Sequence, residues 1–173
     1  MELTPDMKTM EEKIKKILKT FHMITSATGG APEYRIQSAE ETLQVSYPAD
    51  YRRFLELYGS IGFGAFEVYG ILQQNPEAVP NGLWATMQLR ARNNLPDQYI
   101  VIGADGFGGY LCLDTDQLTA EGNAAVIIVD LYASADEDIV VEKLADTFWE
   151  YLFEQMKTEV TYYLYEQKKR TQE

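Results

Sequence analysis

Gly59, Gly62 and Gly64 are the first residues to test for chemistry, because glycine-rich turns let backbone N–H groups close around a phosphate. A dinucleotide fingerprint is G-x-G-x-x-G, set after a strand and before a helix. Here the order is G-x-x-G-x-G, after an amphipathic run and before an alternating one, and no Walker lysine follows. A helix C-terminus carries negative partial charge and repels phosphate. The stretch therefore reads as a joint between a helix and a sheet. Asp105, Asp114 and Asp116 offer oxygen ligands, but they lack the fixed alternation ending in glutamate that a calcium loop needs. With one His and one Cys in the chain, no zinc-ligand set exists. Cys112, inside the apolar run GYLCLD, reads as a small buried hydrophobe rather than a nucleophile. His22, at a predicted helix end, is placed to cap a carbonyl and has no evident catalytic partner. Carboxylates are too numerous for an acid–base pair to stand out. The late aromatics in TYYLYE read as core or interface rather than as a cofactor box. No catalytic, cofactor-binding or metal site is expected, and the chain is not expected to be an enzyme.

The elements that hold these residues follow from periodicity. Met7, Met10, Ile14, Ile17, Leu18 and Phe21 recur at helical spacing and predict an amphipathic helix over 5–22, with Thr4 as N-cap and Pro5 at the first position. Tyr34-Arg35-Ile36 reads as a short edge strand, and Ser38-Ala39-Glu40-Glu41 as a capping box opening a brief helix. Pro48 opens the next helix, with Tyr51, Phe54, Leu55 and Tyr58 on one face, and Gly59 closes it. A strand over 65–71, a polar loop over 73–82 and a helix over 83–93 follow. Two β-rich runs around Asp105–Gly109 predict a hairpin within 99–116, and 124–132 is apolar enough for a central strand. From Glu137 the spacing of Val141, Leu144, Phe148, Tyr151, Leu152 and Met156 predicts a long final helix ending in Lys168-Lys169-Arg170. Phe54 and Phe148 are expected in the core. Helices at both ends with strands between them indicate a single α+β domain over 1–173 with an extended C-terminal helix.

Composition narrows the partners. Lys plus Arg total 15 against 27 Asp plus Glu, a formal charge of −12. That field repels a nucleic-acid backbone and favours a basic partner, although acidity alone also serves solubility. Asp136-Glu137-Asp138 is one acidic candidate for partner binding, with helix N-terminal stabilisation as the competing role. Asp114 and Asp116, at the far end of the hairpin, form a second, expected to be exposed. A single cysteine fits a reducing compartment, and no secretion signal or membrane span is read, so a cytoplasmic location is expected.

Four stretches in order, YPADYRRFLELYGSIGF, FEVYGI, YIVIGADGFGGYLCLDT and FWEYL, resemble the SUKH superfamily. The resemblance spans about 36–153, leaving the helix over 5–22 and the extension over 154–170 outside it. Tyr58 stands where the family pattern usually has asparagine before the stop glycine. The resemblance implies an α+β fold with a central, mainly antiparallel sheet flanked by helices, and structural roles for Pro48, Phe54, Leu55, Gly59, Gly70, Gly108 and Asp114. It brings no catalytic residues. Many stand-alone bacterial members are immunity proteins that neutralise the toxin of a neighbouring gene, and fungal relatives regulate cell-wall synthesis. The expectation is an immunity protein that occludes the cleft of a basic, nucleic-acid-degrading toxin. A regulatory or scaffold module is the alternative. Neither nucleic acid nor membrane is expected as a partner.

Overall fold

The computed structural model describes residues 5–72, 74, 77–131 and 140–172. Helix α1 (Pro5–Thr20) runs through a short 3-10 turn, His22–Ile24, into strand β1 (Thr25–Ala27). Helices α2 (Glu33–Leu43) and α3 (Ala49–Tyr58) come next, then strands β2 (Ile61–Phe63) and β3 (Phe66–Val68). Helix α4 (Gly82–Asn93) precedes β4 (Tyr99–Ala104), β5 (Gly109–Leu118), β6 (Ala124–Asp130) and β7 (Val140–Ala145), and α5 (Phe148–Gln172) ends the chain. All strand pairs are antiparallel, in a three-stranded sheet β1-β2-β3 and a four-stranded sheet β4-β5-β6-β7. The fold is α+β, with two sheets where one was expected. They join where the Tyr69 N–H donates to the Ile102 carbonyl at 2.8 Å. Ile102 is the residue skipped in the β4–β5 register, so a bulge supplies the junction.

The central strands of the larger sheet are buried on both faces, and their side chains sort by the two-residue period of a strand. Ile100, Ile102, Leu111, Leu113 and Val126 enter the core shared with α1, α3, α5 and the small sheet. Val101, Cys112, Ile127 and Val129 turn the other way, towards Ala85 and Leu89 of α4. Phe54 and Phe148 are fully buried, as expected, with ring centroids 5.0 Å apart, and Tyr51 stacks edge-on to Phe148 at 5.2 Å. Cys112 is fully buried, and burial pushes its thiol well above the usual range. A thiol reagent is therefore expected to label the native protein only as fast as the chain opens. Labelling in urea should be orders of magnitude faster, and equal rates in both would show the strand register to be wrong.

Several expected elements differ. Tyr34-Arg35-Ile36 is helical: α2 starts at Glu33, directly after Pro32, and buries Ile36, Ala39 and Leu43 on one face. Ser38–Glu41 thus sits mid-helix and caps nothing. The 65–71 strand is the second arm of a hairpin whose first arm, β2, lies inside the glycine stretch. Gly59, at φ +69°, ends α3, as a helix stop requires. The largest difference is at 140–145, a strand paired to β6 where a helix was expected. Val141 and Leu144 belong to that edge strand, and α5 begins only at Phe148. Thr147 opens it: its Oγ1 accepts the Glu150 N–H at 3.2 Å, and its carbonyl accepts the Tyr151 N–H.

Buried charge ties the helices together. Glu11, 4% exposed, accepts two hydrogen bonds from Arg53, linking α1 to α3. Burial pushes the Glu11 carboxyl up, but Arg53 and Lys15 outweigh it and hold it below the ordinary value. Asp50, fully buried, accepts the Phe148 N–H at 2.7 Å and the Tyr51 N–H at 2.9 Å, joining the start of α3 to the start of α5. Burial raises its pKa to about 6, against the pull of those backbone donors.

Candidate partner-binding surface

The structure separates the acidic residues singled out by sequence. Asp114 is buried, not exposed: it pairs with Tyr99 across the sheet, and its oxygens accept the Asp116 N–H at 3.1 Å and Gln117 Nε2 at 3.2 Å. It shapes the end of β5 and offers no charge to a partner. Asp116 is exposed and lines a shallow cleft of about 450 Å³ with Gln44, Asp97 and Leu118. Asp136, Glu137 and Asp138 lie outside the described residues. Helix α5 starts only at Phe148, after β7.

A second surface, which sequence reading missed, has more of what a docking site needs. A groove of about 390 Å³ opens where the two sheets meet beside α5. Its lining includes the apolar Leu111 and Ile128, the aromatic Tyr69 and Tyr151, and the carboxylates of Glu67 and Asp105. Among the described residues, no lysine, arginine or histidine lines it. The register places Glu142 opposite Ile128, on the same face of the sheet, and leaves Lys143 opposite Ile127 on the other. Burial pushes the Glu67 carboxyl above its ordinary value. Burial, and then the charge of Glu67, raises Tyr69, while burial pushes Tyr151 up to about 12.

The β4–β5 turn builds one end of this groove. Asp105 Oδ1 accepts the N–H groups of Phe107 and Gly109 at 2.8 and 2.9 Å, folding the tip into an Asx-type turn. The turn presents Phe107 at 96% exposure, the most exposed large hydrophobic side chain among the described residues. A solvent-exposed phenyl ring on the turn that carries Asp105 is suited to binding a surface that carries both apolar and basic groups. The signal was legible in the sequence, since a phenylalanine among turn glycines has no core to enter. Asp116 lies at the opposite end of the same hairpin, so its cleft is a separate surface.

Among the described residues, no group of three or more His, Cys, Asp or Glu side chains is placed to hold a metal ion. No described helix is long and apolar enough to cross a membrane.

Two antiparallel sheets joined at a bulge, helices on both sides and an acid-rimmed groove at the junction define an α+β domain with a concave side. The chain belongs to the SUKH group of the SMI1-KNR4 cell-wall family, whose model (SUKH_5) matches residues 10–157. The match takes in most of α1 and stops within α5, so residues 158–172 of that helix lie beyond it. No curated protein matches the chain significantly.

Proposed function

We propose that this protein is a cytoplasmic immunity protein that binds a basic toxin domain encoded by a neighbouring gene and blocks access to the toxin's substrate cleft. The carrying observation is the groove at the sheet junction, lined by Glu67 and Asp105, with Glu142 on the same sheet face as its Ile128 and Phe107 exposed on the turn that carries Asp105. In this reading the net charge of −12 speeds encounter, and the groove carboxylates meet basic side chains that would otherwise hold nucleic-acid phosphate. Phe107 supplies the apolar anchor, because binding energy concentrates in a few desolvated aromatic and arginine contacts. The toxin is inhibited because its cleft is filled. Membership of a family described by cell-wall function favours a second reading, a scaffold that binds a protein of the same cell.

The test uses the purified toxin domain from the adjacent gene. Association should slow about tenfold or more as salt rises, with dissociation changing less. Glu67→Lys with Glu142→Lys should lower the on-rate further. Phe107→Ala should speed dissociation about 30-fold, the equivalent of a 2 kcal/mol anchor. An on-rate indifferent to salt would remove the electrostatic mechanism. Failure of every neighbouring gene product to bind, with no rescue of cells making it, would favour the scaffold.

A further inference from the structure

The C-terminal half of α5 has one side in the fold and one side without an intramolecular partner. Its inner side is held by an edge contact between Phe21 and Tyr163 at 6.0 Å, by partial burial of Val160, and by Glu159, which accepts the Ala65 N–H at 2.9 Å. The outer side carries Thr158, Thr161, Tyr162 and Tyr165, spaced so that all four share one stripe. Tyr162 and Tyr165 are 62% and 63% exposed, and the four residues line a shallow depression. These four residues lie beyond the family match, which ends at residue 157.

Charge says what covers it. Four residues before Thr158 on the stripe is Glu154, and four after Tyr165 is Lys169. The side chain of Glu154 is 62% exposed, and its one short ion pair, to Lys157, is on the helix surface and contributes little. Reversed end for end, the stripe complements itself about a point between Thr161 and Tyr162. Glu154 then faces Lys169, and Thr158 faces Tyr165, at both ends alike. This is the self-matching pattern of a two-fold interface, in which one patch serves both copies. We propose that two copies of this chain pair antiparallel along this stripe of α5, each copy's Tyr165 packing over Thr158 of the other, with Glu154 and Lys169 closing the ends. The interface is a single helix pair, so the dimer is a weak one, at the low end of specific interface sizes. The pairing goes beyond the immunity reading and stands without it.

Sedimentation of the full chain over a wide concentration range tests this. The expected result is a mass that climbs towards twice that of the chain as concentration rises. Tyr165→Glu should abolish the climb, with an unchanged circular dichroism spectrum showing that the helix persists. Glu154→Lys and Lys169→Glu should each weaken association at least threefold, and the two together should restore it. A monomer at every concentration would overturn the proposal. So would a dimer insensitive to Tyr165→Glu, or a charge swap that fails to restore pairing. If the chain stays monomeric while Tyr165→Glu weakens toxin binding, the stripe belongs to the toxin instead.

Discussion

Replacing Gly70 with alanine is expected to leave a chain that does not hold the native fold. A methyl group there would lie 1.5 Å from the Gly59 carbonyl oxygen, 2.6 Å from its carbon and 3.2 Å from Leu55 Cδ2. The nearest obstacles are backbone, which cannot rotate aside as a side chain can. The Gly70 segment cannot retreat either: its N–H donates to the Pro80 carbonyl at 2.9 Å, and its carbonyl accepts the Gly82 N–H at 2.8 Å. The neighbouring Ile71 N–H donates to the same Gly59 carbonyl at 3.3 Å, holding the two strands of chain together. Adding a methyl group to a packed core costs about 1–3 kcal/mol when side chains can yield. Where backbone must separate and those bonds break, a loss of at least about 4 kcal/mol is expected, a large share of a typical domain's stability. Urea unfolding followed by circular dichroism measures it. A variant within about 1 kcal/mol of the parent would show that the two segments do not approach this closely.

Removing the Asp50 carboxylate is expected to cost nearly as much, and to do so with a distinctive pH dependence. Asp50→Ala leaves the Phe148 and Tyr51 N–H groups buried without their acceptor, at about 1–3 kcal/mol each. Asp50→Asn keeps the shape and isolates the charge. The native protein holds the Asp50 proton more tightly than the unfolded chain, with a pKa of about 6 against 3.8. Its contribution to stability is therefore full below the lower value and is lost as pH rises through the upper one. Parent stability relative to Asp50→Asn should fall by about 2 kcal/mol between pH 4 and pH 7. The comparison must be with the variant, because Glu11, held below its ordinary value, acts in the opposite sense: its contribution is lost as pH falls. A difference that is flat with pH would show that Asp50 is not a buried, raised carboxyl.

What the sequence revealed about the fold followed from local chemistry. Pro48 and Gly59 bracket α3, and the turn glycines bracket the β4–β5 hairpin, because cap and turn preferences act within a few residues. Residues 140–145 misled for a physical reason. Val141, Leu144 and Phe148 satisfy a helical spacing, yet pairing with β6 decides the matter, and pairing is invisible locally. The Thr147 and Glu150 pair, a capping signature, was the available sign that the helix starts later. Tyr34 and Ile36 favour strands on their own, but Ile36, Ala39 and Leu43 bury one helical stripe. The groove was legible only in its tip, Phe107. Its walls come from β3, all four strands of the larger sheet and α5, and the bulge that brings them together leaves no mark in the sequence. Asp114 shows the opposite limit: an aspartate in a strand looks exposed until its hydrogen bonds are known.

The bond between Asp50 and Phe148 closes a loop of 98 residues. On a ribosome moving at roughly 5–20 residues per second, Phe148 appears about 5–20 seconds after Asp50. Throughout that interval the apolar face of α3, with Tyr51 and Phe54, lacks the α5 rings that cover it in the finished molecule. The growing chain thus presents that apolar face until α5 is made. Ribosome pausing before residue 148 should lengthen that exposure, and the yield of active protein should depend on how fast this final stretch is translated.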